Sequence, residues 1–212
     1  AGLDRTAYVP LGVDLERFHP ARREHAGRTR QWFGLSDRPL IVYAGRLARE
    51  KQVDVLLAAW RMAQRTVDAE LVLVGAGRTG PELRARAHGL RVRWIPHVSS
   101  RTMLADLIAA ASLVVAPSPV ETFGLAAVEA MASGVPVLGA DRGGVAELVE
   151  RSGAGTTFPA GDADALAMAL RAAWSSDLGA AGARGRAYVE REHAWSTVFN
   201  RLFAVYDGVV GA

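Results

Sequence analysis

Cysteine is absent from the sequence, which excludes disulfide bonds and thiolate–metal sites. An uncharged apolar run of roughly 18 residues, the length that a membrane-spanning helix requires, is also absent. No charged and apolar leader with a small-residue cleavage site opens the chain, so we expect a cytoplasmic location. What remains is a sequence of 212 residues, half of them hydrophobic, which is typical of one soluble globular domain over residues 1–212.

Lysine is nearly absent as well. Of the 25 lysines and arginines, Lys51 alone is a lysine, although an ordinary solvated position in so arginine-rich a chain would be expected to carry arginine. The net charge of +3 is modest and the arginines are spread along the chain, so we expect no nucleic-acid binding. A phosphate-bearing small ligand fits this charge, as does peripheral contact with an anionic membrane surface.

Short runs rich in Val, Leu and Ile alternate with amphipathic stretches, which predicts βαβ units with right-handed crossovers. The expected fold is a Rossmann-like, doubly wound parallel sheet with helices on both faces and a helical C-terminal tail. The predicted strands are residues 40–44, 71–75, 92–95, 113–116, 135–139 and 155–158. The predicted helices are residues 22–33, 53–65, 81–88, 100–110, 123–132, 162–174, 180–192 and 195–206. Residues 1–20 are expected to form an N-terminal segment, extended from Tyr8 to Pro20.

The loops that follow the strands are the candidate binding sites, because such sheets bind ligands at the carboxyl ends of their strands. In the loop and helix after the fourth strand, Thr122 is a plausible N-cap, which would leave the amides of Phe123, Gly124 and Leu125 free to bind an anion. Glu129 is the one charged residue between positions 123 and 135, so it is expected to be buried and to need a partner. Local amides, an internal arginine or a ligand could each supply that partner.

The loop after the first strand places Arg46 just past the strand and Lys51 near the next helix, where both could reach one polyanion. Each could instead be an ordinary surface charge. That interpretation is poorer for Lys51, because a cation in the first turn of a helix opposes the helix dipole.

Several of these segments, in order, resemble the family-four retaining glycosyltransferases of GT-B fold. They are residues 9–20, Gly45-Arg-Leu with Lys51, Leu73-Val-Gly, and the stretch from Glu121 to Glu129, whose two glutamates separated by seven residues are the signature of that family. The resemblance runs from about Tyr8 to the C-terminus. It implies that the chain is one half of a GT-B enzyme, the half that binds the nucleotide sugar, and that an N-terminal acceptor-binding domain is its partner.

The resemblance also assigns roles. Arg46 and Lys51 would bind the donor diphosphate, together with the Phe123, Gly124 and Leu125 amides, while Glu129 would bind the ribose hydroxyls. Glu121 would bind the transferred sugar, and the loop through Val98 would touch the base. Gly45 and Gly75 belong to the matching glycine positions. The residues expected to take part in the reaction itself are Glu121, Arg46 and Lys51, and we expect neither a metal nor a cofactor.

The expected donor is GDP-mannose, with a UDP-hexose as the alternative. Three departures from the family pattern are Leu11, the longer glycine loop over residues 75–81, and Pro96, and the last leaves base recognition open. That glycine loop also resembles a dinucleotide fingerprint, but it follows the second strand, and the next strand ends without an acidic residue. A catalytically silent nucleotide-sugar sensor is a further alternative.

An apolar stripe occupies the last predicted helix at Trp195, Phe199, Leu202, Phe203 and Tyr206. It could pack on the domain's own sheet. In GT-B relatives the last helix crosses to the N-terminal domain, so the resemblance implies that residues 195–208 cross in the same way. Self-association of the isolated chain would then be expected.

Overall fold

The computed structural model describes the backbone of residues 6–210 and the side chains of residues 6–208. The centre of the fold is a six-stranded parallel sheet with the order β3-β2-β1-β4-β5-β6. This order reverses direction between β1 and β4, as it does in doubly wound dinucleotide-binding folds. The strands are β1 (Leu40–Ala44), β2 (Glu70–Val74), β3 (Val92–Ile95), β4 (Leu113–Ala116), β5 (Val137–Ala140) and β6 (Gly155–Phe158).

Helices connect the strands and form the C-terminal tail. They are α1 (Ala26–Phe33), α2 (Val53–Ala63), α3 (Gly80–Arg86), α4 (Arg101–Ala109), α5 (Leu125–Ala132), α6 (Gly144–Ser152), α7 (Ala163–Trp174), α8 (Leu178–Glu192) and α9 (Trp195–Val210). Short 3₁₀ turns occupy Pro20–His25 and Arg49–Lys51. None of these helices is long and apolar enough to cross a bilayer.

The sheet separates two hydrophobic cores, because successive side chains of a strand point to opposite faces. In β1, Leu40 and Val42 enter one core with α4, α5, α6 and α8, whereas Ile41 and Tyr43 enter the other with α2, α3 and α7. The predicted doubly wound sheet with helices on both faces is therefore confirmed.

Some predicted boundaries are wrong. The fifth strand starts at Val137 instead of residue 135, because Val135 still donates its amide to Ala130 at the end of α5 and Pro136 has no amide to donate. The second strand starts one residue earlier than predicted. Residues 22–33 are divided between a 3₁₀ turn and α1. Helix α6 was missing from the prediction.

The N-terminal segment is irregular over its described part, residues 6–19, and does not form one extended run; residues 1–5 lie outside the described residues. It is attached to the turn between α8 and α9, where Val13 donates its amide to the carbonyl of His193 at 2.9 Å. The Nδ1 atom of His193 lies 2.8 Å from the carbonyl oxygen of Leu11. The start of α9 is thereby positioned beside the carboxyl edge of the sheet.

Candidate functional site

The candidate site lies where the strand order reverses. The carboxyl ends of β1 and β4 lie side by side, since Val42 pairs with Val114. The chain then runs from β1 to α2 on one face of the sheet and from β4 to α5 on the other. The two loops diverge and leave a crevice, the usual ligand position in such sheets. A cavity of about 1100 Å³ occupies this crevice.

Most of the residues selected from the sequence meet at this cavity. Phe123 is the exception, because it lines a neighbouring cavity of about 160 Å³. The loops after β1, β2, β3 and β4 and the start of α5 all contribute to the larger cavity. The selected residues that line it are Gly45, Arg46, Lys51, Gly75, Val98, Glu121, Gly124, Leu125 and Glu129.

Lys51 and Glu121 form an ion pair across the crevice. The Lys51 ammonium group donates a hydrogen bond to Oε1 of Glu121, and the two side chains are 16% and 27% exposed. Lys51 ends the 3₁₀ turn after β1, and Glu121 lies in the loop after β4, so the pair joins the two sides of the switch point. The interpretation of Lys51 as a solvated surface charge is therefore wrong.

Arg46 lies at the rim of the same cavity. Its guanidinium group is 72% exposed and pairs with Glu50 at 3.0 Å. The backbone beneath it is fixed, because the buried Tyr43 donates its hydroxyl proton to the Arg46 carbonyl at 2.7 Å. Burial, followed by the charge of Glu121, raises the pKa of Tyr43 far above its usual value, so this hydroxyl stays protonated as a donor.

Glu129 is buried and has a protein partner. Its side chain is 8% exposed, and Nη2 of Arg101 donates a hydrogen bond to Oε1 of its carboxylate. Burial raises the pKa of Glu129, and the hydrogen bond and charge of Arg101 oppose that rise. Of the partners considered from the sequence, the structure supplies an arginine, and the carboxylate also lines the cavity.

The start of α5 differs from the prediction. Gly124, with φ of 64°, is the N-cap, and no side-chain cap hydrogen bond is formed, so the assignment of Thr122 as N-cap is wrong. The first-turn amides belong to Leu125, Ala126 and Ala127, and the Ala127 amide already bonds to the Gly124 carbonyl at 2.8 Å. The amides of Leu125 and Ala126 have no acceptor within the helix. The first turn of the helix thus begins at Leu125, two residues later than predicted.

The glycine loop after β2 packs against the loop after β1. A Cβ atom added to Gly75 would lie 2.0 Å from the carbonyl oxygen of Gly45, and one added to Gly77 would lie 2.1 Å from that of Leu47. The Leu47 amide donates to the Ala76 carbonyl at 2.9 Å. These two glycines serve backbone packing between loops, which gives no support to the dinucleotide fingerprint.

Sequence reasoning missed Arg101 and Trp195, which also line the cavity. Arg101 is the first residue of α4, so the argument from the helix dipole that selected Lys51 would have selected it too. The Trp195 indole packs directly on the backbone of Gly12, where an added Cβ would lie 2.4 Å from it. No periodicity signals that contact. Among the described residues, no group of three or more acidic or histidine side chains could hold a metal ion.

Comparison with known proteins places the chain in one family and shows the same fold in solved structures. The family model for group 1 glycosyl transferases matches residues 38–176, and the chain belongs to this family. A GDP-mannose-dependent α-(1-6)-phosphatidylinositol dimannoside mannosyltransferase of Mycobacterium tuberculosis is 39% identical over 70% of this chain and 39% of its own. A D-inositol 3-phosphate glycosyltransferase of Xylanimonas cellulosilytica is 38% identical over 97% of this chain and 52% of its own. The chain thus spans about half the length of such relatives, or less.

Solved structures agree with the fold. Sucrose-phosphate synthase of Thermosynechococcus elongatus superposes with a TM-score of 0.80 and 31% identity, over 98% of this chain and 53% of that one. Anabaena HepE, in complex with UDP and glucose, has a TM-score of 0.82 at 23% identity, over 95% and 56% of the two chains. The C-terminal domain of LpcC from Francisella tularensis superposes with a TM-score of 0.77 and 21% identity. The match covers 87% of this chain and 100% of that domain. The chain is a glycosyltransferase domain of the GT-B, Rossmann-like type.

Proposed function

We propose that this chain is the donor-binding half of a retaining glycosyltransferase that transfers a hexose from a nucleoside diphosphate, with GDP-mannose as the first choice. The observation that carries the proposal is the convergence of Arg46, Lys51, Glu121, Glu129 and the start of α5 on one crevice at the switch point. Cations and free amides suit a diphosphate, and carboxylates suit sugar and ribose hydroxyls.

The positions of the side chains support the proposed roles. Lys51 and the Leu125 and Ala126 amides lie where they can stabilise negative charge on a departing diphosphate, which is the main task in such a transfer. Arg46, at the open rim, contributes a second cation that can move onto the ligand. Glu121, held by Lys51, is placed to orient the transferred sugar. No dependable protein nucleophile is required if the leaving phosphate helps to deprotonate the acceptor on the same face of the sugar.

The choice of mannose is supported by relatives whose names specify GDP-mannose, in Mycobacterium tuberculosis and, at 33% identity over 92% of this chain, in Corynebacterium glutamicum. The alternative, a UDP-hexose donor, is supported by the fold shared with HepE, which was solved with UDP and glucose. The loop that would meet the base presents His97, Val98 and Ser99 and no carboxylate. The side chains of this loop therefore favour neither guanine nor uracil as the base of the donor.

A calorimetric titration of the chain with GDP and with UDP, followed by GDP-mannose and UDP-glucose, tests the proposal. We expect saturable binding of one nucleotide with a clear preference over the other, and Glu121→Gln should weaken the nucleotide sugar more than the nucleotide. NAD is the control ligand, because the rival dinucleotide module would prefer it. Binding of NAD in preference to both nucleoside diphosphates would contradict the proposed function.

A further inference from the structure

Glu129 occupies an unusual position for a carboxylate that is meant to bind a ligand. It lies in α5, where every residue from Ala127 to Ala132 is buried, and burial favours the neutral, protonated form of its side chain. A protonated carboxyl group has one oxygen committed as a donor and no charge, so it binds a pair of hydroxyl groups less well than a carboxylate does. Something must keep Glu129 charged if it is to serve the site.

Arg101 is the side chain that the structure places on Glu129. It begins α4, a helix that packs against α5, and its guanidinium group bonds to Oε1 of the carboxylate. The same guanidinium group is stacked over the ring of the buried Phe18, with its carbon 5.1 Å from the ring centroid. Arg101 is therefore held from two sides, by a charge and by an aromatic face, although 52% of its side chain is exposed.

The other charged groups on elements that pack against α5 are directed elsewhere. Arg186 of α8 donates to the carbonyls of Phe18 and Ala132, at 2.9 and 2.6 Å, and pairs with Glu190 of the same helix. Arg184 donates to the carbonyl of Gly153, and Arg191 pairs with Glu192. Asp106 of α4 is paired with Arg22 and His25. In α6, Glu147, Glu150 and Arg151 are exposed, and β4 and β5 contain no charged residue. The remaining charged and titratable side chains of the cavity are Asp14, Arg17, Tyr43, Arg46, Lys51, His97 and Glu121. Of the side chains the structure describes, Arg101 is the one bonded to Glu129.

We propose that Arg101 is a positioning residue that keeps Glu129 charged and oriented toward the cavity, so that the carboxylate can bind the ribose hydroxyls of the donor nucleotide. This inference rests on the proposed function, because it assigns the ligand of Glu129. Oε1 is engaged by Arg101, which leaves Oε2 and the second lone pair of Oε1 for the hydroxyl groups. The Arg101 guanidinium group acts through the Glu129 carboxylate and does not itself contact the phosphate groups of the donor.

The experiment compares GDP with 2′,3′-dideoxy-GDP, which lacks both ribose hydroxyls, by calorimetry from about pH 5 to about pH 8. The ratio of the two dissociation constants reports the hydroxyl contact, and titration of the phosphates cancels because both ligands carry them. If UDP binds more tightly than GDP, the same comparison is made with UDP and 2′,3′-dideoxy-UDP. In the wild type we expect a ratio of about ten to a hundred, nearly constant with pH, as for a charge-assisted hydrogen bond.

Arg101→Met removes the charge and keeps the length of the side chain. It also removes the influences that lower the pKa of Glu129, so the ratio should fall toward one as the pH falls and recover partly as the pH rises. Arg101→Lys should restore most of the ratio, and Glu129→Gln should abolish it at every pH. Arg84→Met is the matched control, because Arg84 stacks on Trp94 at 4.7 Å outside the cavity, and it should leave the ratio unchanged.

Three results would overturn the inference. A large ratio that stays constant with pH in Arg101→Met would show that Glu129 does not need Arg101, and the proposed function would survive. Equal weakening of both ligands at an unchanged ratio would make Arg101 a direct ligand of the base or phosphates. A wild-type ratio of one would remove Glu129 from the ribose site. Failure of both GDP and UDP to bind is a separate result, which would overturn the proposed function itself. If Arg101→Met fails to fold by circular dichroism, Arg101→Lys and Glu129→Gln still test the ratio.

Discussion

At the scale of single residues, the informative feature is how cations and carboxylates are paired. Lys51 is paired with Glu121 and Arg101 with Glu129, and each pair joins two elements that are distant in the chain. Breaking such a partly buried pair leaves one charge without its partner, which costs more than losing an exposed pair. Substitutions at these positions therefore affect the remaining partner as well as any ligand.

Lys51→Ala is expected to weaken nucleoside diphosphate binding by about 1.5–3 kcal/mol, the range of a charge-assisted hydrogen bond. Lys51→Arg should restore only part of this, because a planar guanidinium group cannot replace a compact ammonium group in the same contact with Glu121. Arg46→Ala should cost less than Lys51→Ala, since Arg46 is 72% exposed and screened by solvent. Calorimetry at a fixed salt concentration measures the nucleotide affinity of all three variants.

The control for the lysine variant is Arg65→Ala, which removes an exposed cation in the turn after α2 and outside the cavity. It should bind the nucleotide as the wild type does. Equal affinities for the wild type and Lys51→Ala would remove Lys51 from the binding site.

Gly124→Ala tests the start of α5. Gly124 has φ of 64°, and a Cβ atom there would lie 2.7 Å from Cγ2 of the buried Val145. We expect a loss of about 1–3 kcal/mol in the free energy of unfolding, measured by chemical denaturation. Gly27→Ala, within α1 and with open space around it, should instead stabilise the protein by about 0.5–1 kcal/mol. A neutral Gly124→Ala would mean that the helix start can shift.

At the scale of elements, the 3₁₀ turn Pro20–His25 is attached to α4 by ionic contacts. Asp106 of α4 accepts hydrogen bonds from Arg22 at 2.8 Å and from the ring of His25 at 2.9 Å. Because α4 also carries Arg101, which lines the cavity, this attachment fixes a helix that contributes to the candidate site. The ion pairs of Asp106 thereby help to fix the position of α4 and of its Arg101 side chain.

The pH dependence of that attachment has a definite sign. Burial raises the pKa of Asp106, but the hydrogen bonds and charges of His25 and Arg22 outweigh it and lower the pKa below 3.8. A carboxylate whose pKa is lowered by folding contributes stability above its unfolded pKa and loses it as the pH falls through its folded pKa. Asp106→Asn should cost about 1–3 kcal/mol of unfolding free energy at pH 7, and the difference should shrink below about pH 4.

Chemical denaturation of both proteins across this range is the measurement, with Asp37→Asn as the exposed control. A difference between the wild type and Asp106→Asn that does not change on acidification would show that charge plays no part in the attachment.

At the scale of the whole molecule, one surface is strongly apolar. The aromatic side chains of α9 lie exposed in a row, with ring centroids 5.5 Å apart for Trp195 and Phe199 and 6.2 Å apart for Phe199 and Phe203. Trp195, Phe199, Phe203 and Tyr206 are 46%, 45%, 56% and 55% exposed. The interpretation that this row packs on the domain's own sheet is therefore wrong, and an apolar patch of this kind favours association.

We expect the chain to self-associate through these aromatic residues, and sedimentation velocity over a range of concentrations measures it. The double variant Phe199→Gln and Phe203→Gln should shift the distribution to monomer without changing the thermal stability of the sheet. Met168→Gln, on the exposed face of α7, is the control and should have no effect. A strictly monomeric wild type at high concentration would contradict this prediction.

The chain alone is expected to bind a nucleotide sugar without transferring it. Transfer needs an acceptor hydroxyl held in near-attack geometry, and such positioning can be worth about 7–11 kcal/mol of the barrier. The chain spans about half of the relatives it matches, or less, so we propose that the acceptor is held by the other half. Incubation with donor and lipid or sugar acceptors should give no glycosylated product, only slow hydrolysis of the donor.

A chain extended by that other half should form an α-linked product from an α-linked donor. Robust transfer by these 212 residues alone would contradict the assignment of a half-enzyme. An inverted linkage from the extended chain would contradict the retaining mechanism.

Periodicity and residue type in the sequence were sufficient to predict the six strands and every connecting helix except α6, and hence which loops meet at the carboxyl edge of the sheet. They also singled out Lys51 and Glu129, because a lone lysine and a lone charge in an apolar helix are visible without coordinates, whereas Glu121 was selected through the resemblance to a known family. The start of α5 was predicted less well, since the left-handed conformation of Gly124 overrides the local preference for Thr122 as a cap.

Only the tertiary structure shows which charged side chains pair with each other. Lys51 and Glu121 are 70 positions apart, and Arg101 and Glu129 are 28 apart. Periodicity places a residue on a strand, a helix or a loop, but it does not specify how two loops from different strands fold toward each other. That geometry arises from backbone packing between the loops, such as Gly75 against Gly45, and from side chains held by distant elements, such as Arg101 on Phe18. The identity of the charged residues is local information, whereas their pairing depends on the whole sheet.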